Sequence, residues 1–231
     1  MTAGSPPLRL LVVGHGRMGR LVDALAAEHG FEVAGRVDEH NAGTDDSWPD
    51  ADVAIDFSIA SAVPGNVARL ARRGTNIVIG TTGWQEREAE VRQLVAGQPI
   101  GVVAAPNFAL GVNVFLALAE RAGALMAQRG DFGAWIHELH HAAKRDAPSG
   151  TALALKAALE RAGYARGVDV SSTRAGAIPG THTIGFDAVS ETITLTHTAR
   201  DRSVFARGAL EAARWVQGRK GWFTMRDVIG V

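Results

Sequence analysis

The chain has 231 residues, 46% hydrophobic and 21% charged, with 24 basic residues balancing 24 acidic ones and no cysteine. That length holds one large domain or two small ones with a real core. The absence of cysteine excludes disulfide and thiolate chemistry, and the neutral balance gives no reason to expect nucleic acid or an anionic membrane as partner.

The opening residues, M-T-A-G-S-P-P, lack the basic and apolar regions of a secretory leader. No uninterrupted apolar run approaches the ~20 residues that span a bilayer, so a cytoplasmic protein is expected. Leu8–Val13 is a dense apolar run, followed by glycines and a stretch of helical spacing over 18–28. Phe31–Val37 and residues 52–57 (D-V-A-I-D-F) are further strand candidates. Helix is expected over 60–73, strand over 76–80, helix over 86–96 and strand over 100–105. Apolar strands alternating with helices imply a Rossmann-type, doubly wound parallel sheet covered on both faces.

The second half differs. A long helix is expected over 111–129, with Val114, Leu118, Ala122 and Leu125 on one stripe. A second runs over 149–163 and ends at a C-cap glycine. Residues 192–197 (T-I-T-L-T-H) alternate with period two, as a half-solvated strand does. Helix returns over 206–217, and 222–231 is a short apolar tail. This pattern predicts an α+β domain with an open mixed sheet over 109–205, and a dinucleotide-binding domain over 1–108 to which 206–231 returns.

Gly14-His15-Gly16-Arg17-Met18-Gly19 fits G-x-G-x-x-G between a strand and a helix. Glycines there permit a tight turn, close approach of backbone to a pyrophosphate, and helix–strand packing. The helix start offers free N–H groups to the phosphates. Asp38 stands near the offset expected for a carboxylate on the adenosine ribose hydroxyls. Glu39 adds a second negative charge that would repel a 2′-phosphate, while Arg17 could offset it. The expected cofactor is NADH by preference, with NADPH used to some degree.

The densest chemistry lies in Glu138-Leu139-His140-His141-Ala142-Ala143-Lys144-Arg145-Asp146-Ala147-Pro148-Ser149-Gly150-Thr151. Ser149 is a natural N-cap, and Gly150 and Thr151 follow in the first turn. Free N–H groups and hydroxyls there form a carboxylate cradle. Lys144 or Arg145 could hold the same anion, and His140 can donate a proton near neutral pH. Each feature alone also has a plain reading, as a cap or a surface histidine; together they point to acid catalysis on an anionic substrate. The same segment contains His137-Glu138-Leu139-His140-His141, an H-E-x-x-H pattern that binds zinc when a helix puts both outer histidines on one face. Local spacing does not exclude a helix, but such a site would leave the dinucleotide half without a role, so no metal is expected.

The block E-x-H-H-x-x-K-x-D-A-P-S-G-T resembles the signature of the dihydrodipicolinate reductase family. Other resemblances run in order along the chain: Gly16-Arg17-Met18-Gly19, Asp56-Phe57-Ser58, Gly80-Thr81-Thr82-Gly83, Pro106-Asn107-Phe108 with Gly111-Val112-Asn113, Arg174-Ala175-Gly176, Gly180-Thr181-His182, Arg202 with Phe205-Ala206 and Gly208-Ala209, and Met225-Arg226-Asp227-Val228. The chain looks like a compact member, with a glycine turn one residue shorter than usual and Asp201 where the family carries serine. The resemblance implies reduction of 4-hydroxy-tetrahydrodipicolinate to tetrahydrodipicolinate by NAD(P)H with loss of water, in diaminopimelate and lysine biosynthesis. It implies His140 as proton donor, assisted by Lys144, with His141, Gly150 and Thr151 on the substrate carboxylates. The glycine turn, Asp38, Gly80, Thr81, Thr82, Ala105, Pro106, Asn107 and Phe108 would contact the dinucleotide. A homotetramer built through the second domain's sheet, and a hinge, are also implied. A dehydrogenase of another amino-acid pathway, aspartate or homoserine type, would share the first domain without needing the H-H-x-x-K…S-G-T block. A non-catalytic nicotinamide sensor would not need His140 or Lys144.

Overall fold

The computed structural model describes residues 6–43 and 48–231. Their contacts divide the chain into two units, Met1–Leu110 with Ser203–Val231, and Gly111–Arg202.

Unit 1 is built on six parallel strands, β1 (Leu8–Val13), β2 (Phe31–Val37), β3 (Val53–Asp56), β4 (Asn76–Ile79), β5 (Gly101–Ala104) and the short β10 (Gly221–Phe223). Their order is β10-β5-β4-β3-β1-β2. The dense apolar strands sit in the middle because helices cover both faces. On one side Leu10, Val12, Val53 and Ile55 pack with α1 (Arg17–Leu25) and α6 (Ser203–Trp215). On the other, Leu11, Val13, Ala54 and Ile77 pack with α2 (Val63–Arg72) and α3 (Glu88–Val95). The expected helix over 18–28 is instead α1 followed by a 3-10 turn over Ala27–His29, which ends at the left-handed Gly30 (φ 74°). The tail forms β10 beside β5 and then α7 (Met225–Ile229), which starts with a reciprocal Thr224–Asp227 cap. Because β2 lies to one side of β1 and β3 to the other, the strand order reverses at the end of β1. That is where open α/β sheets bind ligands.

Unit 2 holds a mixed sheet, order β7-β6-β8-β9, made of β6 (Gly133–His140), β7 (Val168–Arg174), β8 (Gly180–Asp187) and β9 (Thr192–Ala199). β6 and β7 are parallel; β6–β8 and β8–β9 are antiparallel. α4 (Leu110–Ala127) and α5 (Gly150–Arg161) pack on the sheet through Phe115, Ala119, Leu155 and Leu159, against Ile136, Ile184 and Phe186. The expected classes are therefore found: a doubly wound parallel sheet and an open mixed sheet.

The structure refines one expectation and bears on one alternative. The stripe of α4 named above faces outward: Val114, Leu118 and Leu125 are 44%, 51% and 54% exposed, and the buried face is Val112, Phe115, Ala119 and Gly123. Small residues decide this. A side chain at Gly123 would meet Leu159 and Ala162 at 3.1 Å, so close helix packing selects the glycine face. With both faces apolar, α4 is the one helix among the described residues long and apolar enough to cross a membrane, although Glu120 and Arg121 interrupt it. The alternative concerns His137–His141. Its first four residues end strand β6, so the helix that an H-E-x-x-H zinc site requires is absent. His137 points to the opposite face from Glu138 and bonds Thr173 at 3.0 Å.

Candidate active site

The glycine turn follows β1 directly. Gly14 has φ 85°, and a Cβ there would lie 2.4 Å from the Phe57 carbonyl oxygen. A Cβ at Gly19 would lie 2.1 Å from the Gly14 oxygen, so the first turn of α1 can close on β1 only with glycine. Gly16 is different: it is the N-cap of α1, has no side-chain cap, and a Cβ there would meet nothing within 4 Å. Packing does not demand glycine at 16, but the approach of a pyrophosphate to bare helix N–H groups does. The turn thus fits a dinucleotide on grounds of its own geometry.

The other residues expected around the dinucleotide divide into two groups. Arg17 and Thr82 are exposed. Asp38 follows β2 with its Oδ1 accepting from the His40 N–H at 2.9 Å. Several of the rest serve the turn's frame. His15 Nε2 lies 3.0 Å from Asp23 Oδ2, and Met18 packs against the core. Gly80 leaves room for the Phe57 ring. The buried Thr81 hydroxyl donates to Asp56 Oδ1 at 2.9 Å, so it is already occupied. Asn107 Oδ1 accepts from the Ala109 N–H, Phe108 is buried edge-on to Phe57, Ala105 is buried, and Pro106 is exposed. Asp56 itself, fully buried, accepts from Ser58 N, Thr81 and Asn66 and ties the loops after β3 and β4 together.

In unit 2 the sheet register assembles the chemistry. Glu138 and His140 are two residues apart on β6 and so share the face of the buried Ala134 and Ile136. His182 stands opposite Glu138 on β8, His197 opposite His182 on β9, and Arg174 opposite His140 on β7. Glu138, with no exposed surface, is the hub. It accepts from Arg174 Nη1 at 2.9 Å and Nη2 at 2.6 Å, from the Ser149 N–H at 3.2 Å, and from His140 Nδ1 in a very short contact. Burial alone would raise the Glu138 pKa, but the hydrogen bonds, Arg174's foremost, hold it down to about 2. An ionised carboxylate only accepts, so Nδ1 of His140 carries a hydrogen and Nε2 carries the exchangeable proton. Burial lowers the pKa of His140, with Glu138 opposing and Lys144 and Arg174 adding to the fall.

Behind His140 is a second imidazole. His182 is 5% exposed, packs edge-on to His140 at 5.1 Å, and is pushed to about 4 by burial and by His140. Its Nε2 lies 3.0 Å from the Ser149 hydroxyl, which also caps α5 by accepting from the Ala152 N–H. Ser149 is 2% exposed, so its hydroxyl is engaged in the frame rather than free for a ligand. That leaves the N–H groups of Gly150 and Thr151, the first-turn donors without an intrahelical acceptor. Open space surrounds Gly150. Lys144, partly buried, is held by Asp146 at 2.7 and 2.9 Å, and His141 is half-buried beside it. Arg174 fixes the loop by donating to the Asp146 carbonyl. The donor atoms of Glu138, His140 and His182 lie within 4.8 Å of one another. Arg174 already occupies both oxygens of Glu138, and its charge opposes a cation there. Glu138 and Arg174 are the functional candidates that the sequence reading left out.

A glycine turn at the reversal point of a parallel sheet, in a chain that also carries a buried carboxylate–imidazole pair beside a helix N-terminus, points to a class: a pyridine-nucleotide-dependent oxidoreductase. Residues 8–108 match the family described as "Dihydrodipicolinate reductase, N-terminus" and residues 111–229 match "Dihydrodipicolinate reductase, C-terminus". The chain belongs to the dihydrodipicolinate reductase family. It is 32% identical to the 4-hydroxy-tetrahydrodipicolinate reductase of Christiangramia forsetii, over 96% of this chain and 98% of that one. It is 40% identical to the protein of the same name from Acidiphilium cryptum, over 97% and 98%. Its fold is similar to dipicolinate-bound dihydrodipicolinate reductase from Paenisporosarcina sp. TG-14, with a TM-score of 0.81, 21% identity, and 94% and 97% of the two chains covered.

Proposed function

We propose that this protein reduces 4-hydroxy-tetrahydrodipicolinate to tetrahydrodipicolinate, with loss of water, in the cytoplasmic diaminopimelate and lysine pathway. The observation that carries the reading is the Glu138–His140 pair beside the α5 N-terminus: an oriented acid next to an anion cradle. When bound, NAD(P)H supplies the hydride. The Gly14–Gly19 turn binds its pyrophosphate, and Asp38 accepts from the adenosine ribose. Asp38 and Glu39 together repel a 2′-phosphate, so NADH is preferred and NADPH is used less well.

The Gly150 and Thr151 N–H groups hold one substrate carboxylate, with His141 and Lys144 completing the charge. Lys144 exchanges Asp146 for the substrate. His140 delivers the proton from Nε2, and Glu138 holds the imidazole in the tautomer that can do so. Glu138 also stabilises the charged ring against the desolvation that lowers its pKa. The outward Val114, Leu118 and Leu125, with Ile193 at 39% exposure on β9, support a homotetramer that covers unit 2. Mixing the protein with NADH and freshly made 4-hydroxy-tetrahydrodipicolinate tests the function. NADH absorbance should fall only when both are present, and pyridine-2,6-dicarboxylate should inhibit. Persistence of NADH over many equivalents of substrate would reject the reading.

A further inference from the structure

Arg36 is the one basic residue of β2, two positions before Asp38. Its guanidinium is half exposed but paired. Nε donates to Asp23 Oδ2 at 2.6 Å and Nη2 to Asp23 Oδ1 at 2.7 Å, a fork on a carboxylate carried by α1. The same Oδ2 is 3.0 Å from His15 Nε2, and His15 lies between Gly14 and Gly16. One carboxylate therefore ties the end of β2 to the glycine turn. The Nε–H and one Nη2–H of Arg36 are committed to it, and the paired carboxylate offsets the guanidinium's charge and holds it toward α1.

Two residues along an extended chain advance about 6.6 Å and return to the same side. Arg36 thus lies about that far along the chain from Asp38, and its side chain is long enough to turn toward a ribose that Asp38 would hold. We propose that Asp23 is a cofactor-specificity residue: by clamping Arg36 it withholds the cation that would otherwise receive the 2′-phosphate of NADPH. Discrimination then has two parts. Asp38 and Glu39 repel the phosphate, and Asp23 denies it a partner. The proposal rests on the NADH preference given above and names a determinant outside the ribose-binding segment.

The test compares Asp23→Asn with the double variant Asp23→Asn/Arg36→Gln. Dissociation constants for NADH and NADPH are read from fluorescence titration, and the ratio of their specificity constants from turnover. The Asp23 side chain is 20% exposed and that of Arg36 49%, so loss of this surface pair costs little stability. Asp23→Ser gives the same reading should the asparagine variant fold poorly. The NADPH-to-NADH ratio should rise about tenfold in Asp23→Asn, the worth of one charge-assisted hydrogen bond. It should return to the parent value in the double variant. An unchanged ratio in the single variant, or a rise that survives removal of Arg36, would overturn the role of Asp23. A parent protein that prefers NADPH would instead remove the NADH reading, and the two failures are distinct.

Discussion

Replacing Arg174 by methionine keeps the bulk of the side chain but strips Glu138 of both guanidinium hydrogen bonds while its carboxylate stays fully buried. An ordinary glutamate titrates at 4.5, and Glu138 is held at about 2. That gap corresponds to about 3 kcal/mol of stability. Removing one partner of a buried pair typically costs about 3–5 kcal/mol, the same order. The sign follows from the direction of the displacement. The folded pKa lies below the unfolded one, so the contribution is complete above pH ~4.5 and is lost as pH falls toward ~2. In Arg174→Met the carboxyl titrates near or above its ordinary value, and the contribution is missing at neutral pH. Urea unfolding followed by circular dichroism should show the variant about 3 kcal/mol less stable at pH ~7, with the difference shrinking below pH ~4.5. A loss under ~1 kcal/mol, or a difference that does not change with pH, would refute the placing of Glu138 at the centre of the network.

The remaining predictions concern the acid, the turn and the cap. Because the free-enzyme His140 must be protonated and burial lowers its pKa, kcat/KM should decline as pH rises through a value below the ordinary 6.5. Glu138→Gln should move that limb to still lower pH, and an unmoved limb would remove Glu138 as the orienting group. Gly16→Ala, with open space around it, should keep the melting temperature and weaken NADH at least tenfold, whereas Gly19→Ala should lower the melting temperature itself. Equal NADH affinity in Gly16→Ala would argue against a pyrophosphate there. Ser149→Ala should cost about 1–2 kcal/mol through the lost cap and the stranded His182. Its KM should stay near the parent value, since the hydroxyl is already engaged; a large rise in KM would show that it reaches substrate.

The parallel sheet was legible because its strands carry little but apolar residues and glycines mark where they end. Leu8–Val13 and Gly14 together state a buried strand and a tight turn. The mixed sheet was harder to read for the reason that makes it useful. In β6 the inward positions are Ala134, Ile136, Glu138 and His140, so the apolar alternation breaks where the site begins. The outward Trp135 and Leu139 add a spacing that also suits a helix. In β7 and β8 the inward Arg174 and His182 blur the pattern in the same way. The resemblance singled out His140, Lys144, Gly150 and Thr151, but spacing along the chain cannot pair Glu138 with a guanidinium 36 residues away. The signal was present in part: once 133–140 is read as strand, Glu138 must share a face with His140. The direction of the α4 stripe was not legible because hydrophobicity alone does not distinguish a face that packs on its own chain from one left outside. Glycine and alanine at 123 and 119 do.

The most direct test is turnover by His140→Gln, measured with the NADH dissociation constant of the same protein. Turnover should fall at least ~100-fold while NADH binding is retained, the loss expected when a positioned proton donor is removed. Turnover within a few-fold of the parent, or loss of NADH binding, would contradict the assignment of His140 as the acid.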